Sequence, residues 1–251
     1  MDLFLFSGGQ DSVTSAAYML DRFNSKEAHF ITFDYGQLHS VEIDQARYCM
    51  YKLEAFYKLS TAVHKVLDVR DIFNTIGGSA LTNKNKEITA GSDDTLPSSF
   101  VPGRNLIFLS IAAGYAAANG IKRITTGVCQ TDYSGYPDCR SEFINVFNHA
   151  AHLALDHSQY KKPFVFTPMM WINKAQTWQL ACSLGPELFK LVQHSTHTCY
   201  KGIRTPNQWG AGCGECPACT LREQGYKDWK AEAFDPLPRD LFDPPKASDD
   251  A

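Results

Sequence analysis

The stretch Leu3-Phe4-Leu5-Phe6-Ser7-Gly8-Gly9-Gln10-Asp11-Ser12 decides the fold. Its four apolar residues run directly into two glycines, a pattern typical of a buried parallel strand that ends in a turn. From Ser12 to about Phe23 the apolar residues recur at helical spacing. A turn that enters a helix points free backbone N–H groups at one place, and glycines let a large anion approach them. The stretch therefore predicts a phosphate-binding turn; the alternative is an ordinary glycine-rich turn in which Ser12 caps the helix.

Strand and helix patterns alternate along the rest of the chain. The polar segment 74–99 interrupts this alternation and predicts a surface loop. The order of elements predicts an α/β fold, a Rossmann-like parallel sheet flanked by helices. The patterns predict strands at 30–33, 64–69, 123–128 and 164–166, and helices at 43–53, 104–119, 142–155 and 174–183.

Composition limits the class of protein. The chain has 251 residues, with 24 Lys and Arg against 27 Asp and Glu, so its formal net charge is −3. This balance argues against a strongly basic nucleic-acid binder. The sequence has no signal-peptide pattern and no apolar run long enough to cross a bilayer, so we expect a cytoplasmic protein.

The chain divides into three predicted regions. Residues 1–190 form a nucleotide-binding α/β domain, and residues 191–230 form a small zinc-binding subdomain. Residues 231–251 contain four of the 12 prolines and an excess of acidic residues. Such a composition buries little apolar surface, so we expect this acidic tail to be disordered.

Four of the eight cysteines lie close together near the C-terminus. Cys213, Cys216 and Cys219 form a C-x2-C-x2-C pattern, and Cys199 precedes it. Four thiolates without an open coordination position are typical of structural zinc. The same spacing also suits an iron–sulfur cluster, and His194 or His197 can replace Cys199 as the fourth ligand. Free or disulfide-bonded cysteines are disfavoured in a cytosolic chain.

The cysteine region is also locally basic. A zinc knuckle that binds nucleic acid is therefore an alternative function for this chain. Residues 190–230 contain three acidic residues and six basic ones; the basic residues are Lys190, Lys201, Arg204, Arg222, Lys227 and Lys230.

Two polar loops have a composition that suits a flat heterocycle. Residues 101–105 precede a predicted helix, and residues 127–140 follow a predicted strand. In a parallel sheet, ligands bind beyond the carboxyl ends of the strands. Tyrosines there can stack, aspartates can accept amino protons, and Arg140 can hold a carboxylate. The alternative is a tight turn whose aspartates bond their own backbone.

The turn Ser7–Ser12 resembles the S-G-G-x-D-S signature of the PP-loop ATP pyrophosphatase superfamily. In that superfamily the turn holds the β,γ-pyrophosphate of ATP while a substrate oxygen attacks the α-phosphorus. The segment Pro168–Lys174 extends the resemblance and implies that Lys174 is a second phosphate contact. Asp11 is a candidate contact for Mg²⁺, which would neutralise the leaving pyrophosphate.

More specific segments resemble the 7-cyano-7-deazaguanine synthase family. Besides the turn, they are 33–37, 101–105, 127–140, 168–174, 198–200 and 213–219, and the resemblance runs from about residue 3 to 226. The resemblance implies catalytic roles for Asp11, Ser12, Arg104 and Lys174. It implies ATP contacts from Phe6, Ser7, Gly8, Gly9, Gln10, Asp11, Ser12, Phe33, Tyr35 and Gly127. It implies substrate contacts from Arg104, Asn105, Gln130, Asp132, Tyr133, Ser134, Tyr136, Asp138 and Arg140.

This resemblance also implies a reaction. An ATP-dependent carbon–nitrogen ligase of this family converts 7-carboxy-7-deazaguanine and ammonia to 7-cyano-7-deazaguanine in queuosine biosynthesis, through adenylated carboxylate and amide intermediates. The implied cofactors are one structural Zn²⁺ and ATP with Mg²⁺; the implied assembly is a homodimer, with neither nucleic acid nor membrane as partner. We expect free ammonia as the nitrogen donor, because the chain starts Met1-Asp2 and leaves no room for a glutaminase domain.

A tRNA-thiolating enzyme of the same superfamily is the nearest rival. It would need a reactive cysteine pair near the nucleotide, and Cys129 and Cys139 flank the predicted substrate loop. Most lone buried cysteines, however, are inert small hydrophobic residues.

Overall fold

The computed structural model describes residues 1–38, 41–83, 85–89, 91, 95–131, 135–155 and 165–244. Within these residues a parallel sheet contains β1 (Asp2–Leu5), β2 (Glu27–Asp34), β3 (Thr61–Asp68), β4 (Arg123–Thr125) and β5 (Val165–Phe166). Its strand order is β3-β2-β1-β4-β5. The prediction of a Rossmann-like parallel sheet is confirmed.

The described helices include all those predicted from periodicity. They are α1 (Gln10–Arg22), α2 (Val41–Tyr57), α3 (Arg70–Ile76), α4 (Arg104–Ala118), α5 (Ser141–Leu155), α6 (Lys174–Ser183), α7 (Pro186–Ser195) and α8 (Pro217–Lys230). Helix α1 starts at Gln10 because Gly9, not Ser12, is its N-terminal cap. The sequence patterns missed α3, α7, α8 and a small antiparallel hairpin of β6 (Pro206–Asn207) and β7 (Gly210–Ala211).

Each face of the sheet is buried under helices. Successive strand residues point to opposite faces, so Phe4 and Phe30 belong to one apolar cluster, and Leu3 and Ile31 to the other. The first cluster includes residues of α1, α2, α6, α7 and α8, and the second includes residues of α4 and α5. Burial on both faces explains why the strands are nearly continuous apolar runs.

The cysteine region packs directly on the sheet domain. Trp209, Cys219 and Tyr226 belong to the same buried cluster as Phe4. The predicted boundary between 190 and 191 falls inside helix α7. The region 191–230 therefore shares its core with the α/β domain.

Residues 231–244, the described part of the predicted tail, contact the rest of the chain. Leu241 is 3% exposed and packs in a small apolar cluster. The Arg22 guanidinium lies 3.0 Å from the Asp240 carboxylate, and the Gln176 amide donates to the Asp235 carbonyl at 3.1 Å. A few apolar anchors thus fix a segment whose average composition is polar. Residues 245–251 lie outside the described residues.

None of the helices in the described ranges combines the length and the apolar character that a membrane span requires.

Gly225 in α8 and Gly114 in α4 form a matched pair for testing the packing. A Cβ at Gly225 would lie 2.3 Å from the Cβ of Lys174, whereas a Cβ at Gly114 would meet nothing within 4 Å. We expect Gly225→Ala to lower the free energy of unfolding by about 1–3 kcal/mol, because α8 must shift away from α6. Gly114→Ala should raise it by about 0.5–1 kcal/mol. Urea denaturation measures both values, and a stabilising Gly225→Ala would contradict this packing.

Candidate active site and cysteine cluster

A cavity of about 330 Å³ lies beyond the carboxyl ends of β1 and β4. The strand order changes direction between these two strands, and open α/β sheets bind ligands at such a switch point. The structure brings the glycine turn and part of the predicted substrate loops into this one cavity. The predicted site residues that line it are Phe6, Ser7, Gly9, Gln10, Asp11, Ser12, Phe33, Tyr35, Arg104, Asn105, Gly127, Tyr136 and Lys174.

The glycine turn lies too close to its neighbours to hold larger residues. Gly8 has a φ of +75°, and a Cβ there would lie 2.6 Å from the backbone nitrogen of Ala46 in α2. A Cβ at Gly127, after β4, would lie 2.8 Å from the backbone nitrogen of Ser12. Gly8 itself does not line the cavity. Its conformational freedom shapes the turn, while its neighbours face the cavity.

The polar groups of the turn bond one another. The Ser7 hydroxyl donates to Ser12 Oγ at 3.1 Å, and the Ser12 hydroxyl donates to the Gly9 carbonyl at 3.1 Å. The first N–H groups of α1 have no acceptor within the helix, as at any helix start. The turn therefore presents the N–H groups of the helix start and the helix dipole, which suit a phosphate group.

Lys174 and Asp11 form a close ion pair at the edge of the turn. Asn173 caps α6 in a reciprocal capping box with Gln176, which fixes the start of that helix. The Lys174 ammonium donates to both carboxylate oxygens of Asp11, at 2.8 and 2.7 Å. Lys174 is only 7% exposed. The two residues predicted to contact phosphate and Mg²⁺ thus neutralise each other in this structure.

Arg104 forms the other end of the cavity. It is the first residue of α4, and its guanidinium carbon lies 5.8 Å from the ring centre of Tyr35 and 5.9 Å from that of Tyr136. Burial raises the pKa of Tyr35 to about 12, so this phenol is neutral. Within the described part of the chain, no carboxylate lies within ion-pair distance of Arg104. The positive charge of Arg104 therefore lies at the cavity next to the rings of Tyr35 and Tyr136.

Glu42 lines the same cavity, and sequence reasoning missed it. It is half-buried, and burial raises the pKa of its carboxyl to about 7, although the charge of Arg104 opposes the rise. Residues four apart share one helix face, so Glu42 lies on the face of α2 whose Ala46 meets the glycine turn. A single glutamate in a first helical turn gives no sequence signal for a site, since most are solvated.

Three predicted substrate residues do not line the cavity. Asp138 accepts a hydrogen bond from the backbone N–H of Asn105 at 3.1 Å, and Gln130 accepts one from the backbone N–H of Ser141 at 2.9 Å. Both side chains satisfy N–H groups at helix starts, where the polar groups that suit a ligand also suit the backbone. Arg140 is exposed. Asp132, Tyr133 and Ser134 lie outside the described residues.

The four cysteines converge as predicted. Their sulfur atoms, from Cys199, Cys213, Cys216 and Cys219, all lie within 4.8 Å of one another. The Cys213 and Cys219 sulfurs are 3.8 Å apart, and metal–sulfur bonds of about 2.3 Å in a tetrahedron give a similar separation. The donor set therefore fits a metal ion bound by four thiolates. His197 is not in this group.

A backbone hydrogen bond joins the cysteine cluster to the glycine turn. The His197 N–H donates to the Gly8 carbonyl at 3.0 Å, and His197 Nε2 lies 2.9 Å from the Cys199 carbonyl. Tyr200, the residue after Cys199, lines the cavity together with Tyr136. Sequence reasoning missed the role of His197, which depends on contacts between distant segments. The cluster thus positions two parts of the cavity wall.

The predicted basic surface is smaller than the residue count indicates. Arg222 is 0% exposed; its guanidinium donates to the Trp209 carbonyl at 3.0 Å and to the Thr198 hydroxyl at 2.7 Å. Burial lowers the pKa of Arg222 to about 10. Lys201 pairs with Glu215 at 2.9 Å, and Lys227 pairs with Glu223 at 2.8 Å. These contacts weigh against a nucleic-acid-binding knuckle.

Replacing a cluster cysteine should release the metal. We expect Cys216→Ser to lower the metal-to-protein ratio from about one to near zero, because three thiolates leave the ion exposed. The same variant should unfold at a lower temperature. Cys182→Ser, at an exposed cysteine outside the cluster, is the control and should change neither value. Elemental analysis and thermal denaturation measure both effects; full metal content in Cys216→Ser would contradict this ligand set.

The raised pKa of Glu42 should make the stability of the fold depend on pH at this position. The protonated carboxyl stabilises the native state fully below the ordinary pKa of about 4.5, and this contribution is lost as pH rises through about 7. We expect Glu42→Gln to raise the free energy of unfolding more at pH 8 than at pH 5. Urea denaturation at both pH values measures this difference, with Glu54→Gln on the same helix as the control. An effect independent of pH would contradict the assignment.

Comparisons with known proteins give the family. The sequence model described as "Queuosine biosynthesis protein QueC" matches residues 2–230. A 7-cyano-7-deazaguanine synthase from Granulibacter bethesdensis is 45% identical over 238 residues, which cover 91% of each chain.

Two solved structures are similar in fold. A 4-thiouridine synthetase in complex with RNA and ATP has a TM-score of 0.51 at 15% identity; the match covers 92% of this chain and 51% of that chain, so this chain spans about half its length. The U34-tRNA thiolase NcsA from Methanococcus maripaludis, with its [4Fe-4S] cluster, has a TM-score of 0.45 at 14% identity, with coverage of 92% and 66%. The similarity to the 4-thiouridine synthetase supports the fold alone. The match to the family model and the 45% identical relative show that this chain belongs to the queuosine biosynthesis protein QueC family.

Proposed function

We propose that this chain is an ATP-dependent ligase that converts 7-carboxy-7-deazaguanine and ammonia to 7-cyano-7-deazaguanine in queuosine biosynthesis. The observation that supports it is a single cavity with a phosphate-binding turn and Lys174 at one end, and Arg104 among aromatic rings at the other. An activated carboxylate must meet the α-phosphorus of ATP, so both ligands need one shared cavity. The 45% identical relative is a 7-cyano-7-deazaguanine synthase.

Two successive activations make the nitrile. A carboxylate oxygen attacks the α-phosphorus and releases pyrophosphate, and ammonia then displaces AMP to give the amide. The amide oxygen then attacks the α-phosphorus of a second ATP and releases pyrophosphate, and loss of AMP and of both amide protons leaves the nitrile. In this scheme the turn at Ser7–Ser12 and Lys174 hold the phosphates, while Arg104 stabilises negative charge that develops near the reacting carboxyl.

The same proposal includes two metal ions. Cys199, Cys213, Cys216 and Cys219 would hold a structural Zn²⁺, whose closed sulfur shell suits a role in folding. Asp11 would contact the Mg²⁺ of the nucleotide, which supplies charge neutralisation for the leaving pyrophosphate.

Cysteine chemistry argues against the thiolating rival. Burial, with a contribution from the charge of Asp138, raises the pKa of Cys139 to about 12. Cys129 is 8% exposed and its sulfur lies 3.2 Å from the Ile172 carbonyl. Cys139 is a protonated thiol at neutral pH and is therefore a poor nucleophile. Replacing both cysteines with serine should leave nitrile formation nearly intact, whereas complete loss would favour thiolation.

Isotope transfer tests the reaction directly. We expect ATP, Mg²⁺, ammonia and 7-carboxy-7-deazaguanine to give AMP, pyrophosphate and the nitrile. With the carboxylate doubly labelled with ¹⁸O, mass spectrometry should find one ¹⁸O in each AMP, because each carboxyl oxygen ends on an α-phosphorus. No AMP and no nitrile from folded, metal-loaded protein would overturn the proposal.

Lys174→Met should reduce turnover by about 100-fold or more, because a buried phosphate contact and the partner of Asp11 are lost. Lys122→Met, at an exposed lysine outside the cavity, is the control and should keep full activity. The kcat of nitrile formation measures the difference. Equal activity of the two variants would remove Lys174 from the mechanism.

A homodimer and a cytoplasmic location complete the proposal. Light scattering after size-exclusion chromatography tests the first, and cell fractionation tests the second.

A further inference from the structure

Glu42 is an acidic residue of the cavity whose chemistry the proposed reaction does not use. Its carboxyl lines the cavity together with Arg104, Asn105 and Tyr136. In the described part of the chain, Glu42 makes no ion pair within 4.0 Å, although it lies close enough to Arg104 for their charges to interact. The Glu42 carboxyl and the Arg104 guanidinium therefore line one cavity without forming an ion pair with each other.

This pair of charges matches one edge of a guanine-like ring. That edge presents a carbonyl oxygen, a ring N–H and an exocyclic amino group in a row, which are one acceptor followed by donors. A guanidinium has only donors, and an ionised carboxylate has only acceptors. Arg104 can donate to the carbonyl oxygen while Glu42 accepts from the ring N–H and the amino group, as charge-assisted hydrogen bonds.

The remaining walls suit the same orientation. Phe33 stacks on Phe108 with ring centres 3.9 Å apart, and both line the cavity beside Tyr35. Aromatic walls suit a flat heterocycle. The carboxyl group of the substrate lies on the five-membered ring, next to the carbonyl oxygen and away from the 2-amino group. An edge held at Arg104 and Glu42 would therefore place that carboxyl near Arg104 and leave it free to react with the nucleotide at the glycine turn.

We infer that Glu42, together with Arg104, determines specificity for the guanine edge of the substrate by accepting hydrogen bonds from its ring N–H and 2-amino group. This inference rests on the proposed function. It assigns Glu42 a binding role and leaves adenylation to the turn and Lys174.

An analogue without the 2-amino group tests the inference. The chain as it exists should prefer 7-carboxy-7-deazaguanine over 7-carboxy-7-deazahypoxanthine by about 100-fold or more in kcat/KM, because the analogue leaves a carboxylate lone pair unbonded. In Glu42→Gln the kcat/KM for the guanine substrate should fall by about 100-fold, mainly through KM. The preference over the analogue should shrink to less than about 10-fold, with the KM for ATP unchanged.

Two controls separate the outcomes. Glu54→Gln, on the same helix and outside the cavity, should keep the full preference. Glu42→Asp retains the carboxylate and should restore part of the preference, which a loss of packing alone would not do. If Glu42→Gln keeps a 100-fold preference, the inference is overturned while the proposed function stands. If the unaltered chain makes nitrile from neither substrate, the proposed function itself is overturned, and the inference with it.

Discussion

The site depends on a steric constraint: the glycine turn must touch the backbone of three other segments at once. A Cβ at Gly8 would lie 2.6 Å from the Ala46 backbone, and one at Gly127 would lie 2.8 Å from the Ser12 backbone. The Gly8 carbonyl also accepts from the His197 N–H at 3.0 Å. Contacts this short hold the start of α1 in place, so its free N–H groups point at a fixed position before any ligand binds. Such preorganisation is what electrostatic catalysis requires.

The same constraint explains why a cysteine cluster belongs to this site. Cys199 follows His197 by two residues, and Tyr200, the next residue, lines the cavity with Tyr136 and Arg104. A metal that fixes Cys199 therefore fixes one support of the turn and one wall of the substrate end. The ion would act at a distance from the chemistry, by positioning side chains that do contact the ligands. Arg222 supports the same segment through the Thr198 hydroxyl at 2.7 Å.

The parts of the fold that could be predicted from the sequence are those whose local pattern matches their burial. The strands are apolar runs because both faces are covered, and the turn is marked by its two glycines. Helix α8 was missed because its buried face includes Arg222 and Gly225. A guanidinium that bonds buried carbonyls occupies a position where periodicity expects an apolar residue. The contacts of the tail could not be predicted, because the buried Leu241 lies in a segment whose average composition is polar.

The residues of the candidate site also fall into those that a local sequence pattern reveals and those that it does not. Residues of the turn could be predicted, since their function follows from backbone geometry next to them in sequence. Sequence alone does not separate a ligand contact from a backbone contact at Asp138 and Gln130, because an oxygen that accepts from a ligand accepts equally well from a helix N–H. Glu42 could not be found, because Arg104, whose charge acts on it in the folded chain, lies 62 residues further along the sequence. Only the folded chain reveals which polar groups remain unpaired.

The two ends of the cavity prepare for their ligands in opposite ways. At the turn, Lys174 and Asp11 already neutralise each other, with N–O distances of 2.8 and 2.7 Å. In the proposed reaction a magnesium nucleotide would bring both signs of charge, so Lys174 would exchange a carboxylate for phosphate while Asp11 would exchange an ammonium for the metal. Each exchange replaces one favourable pair with another and therefore costs little. At the other end, Glu42 and Arg104 stay apart, and a ligand must supply a donor and an acceptor together to satisfy both. Under the proposed function, the nucleotide side would therefore be stable without its ligand, whereas binding at Glu42 and Arg104 would favour a ligand that supplies both a donor and an acceptor.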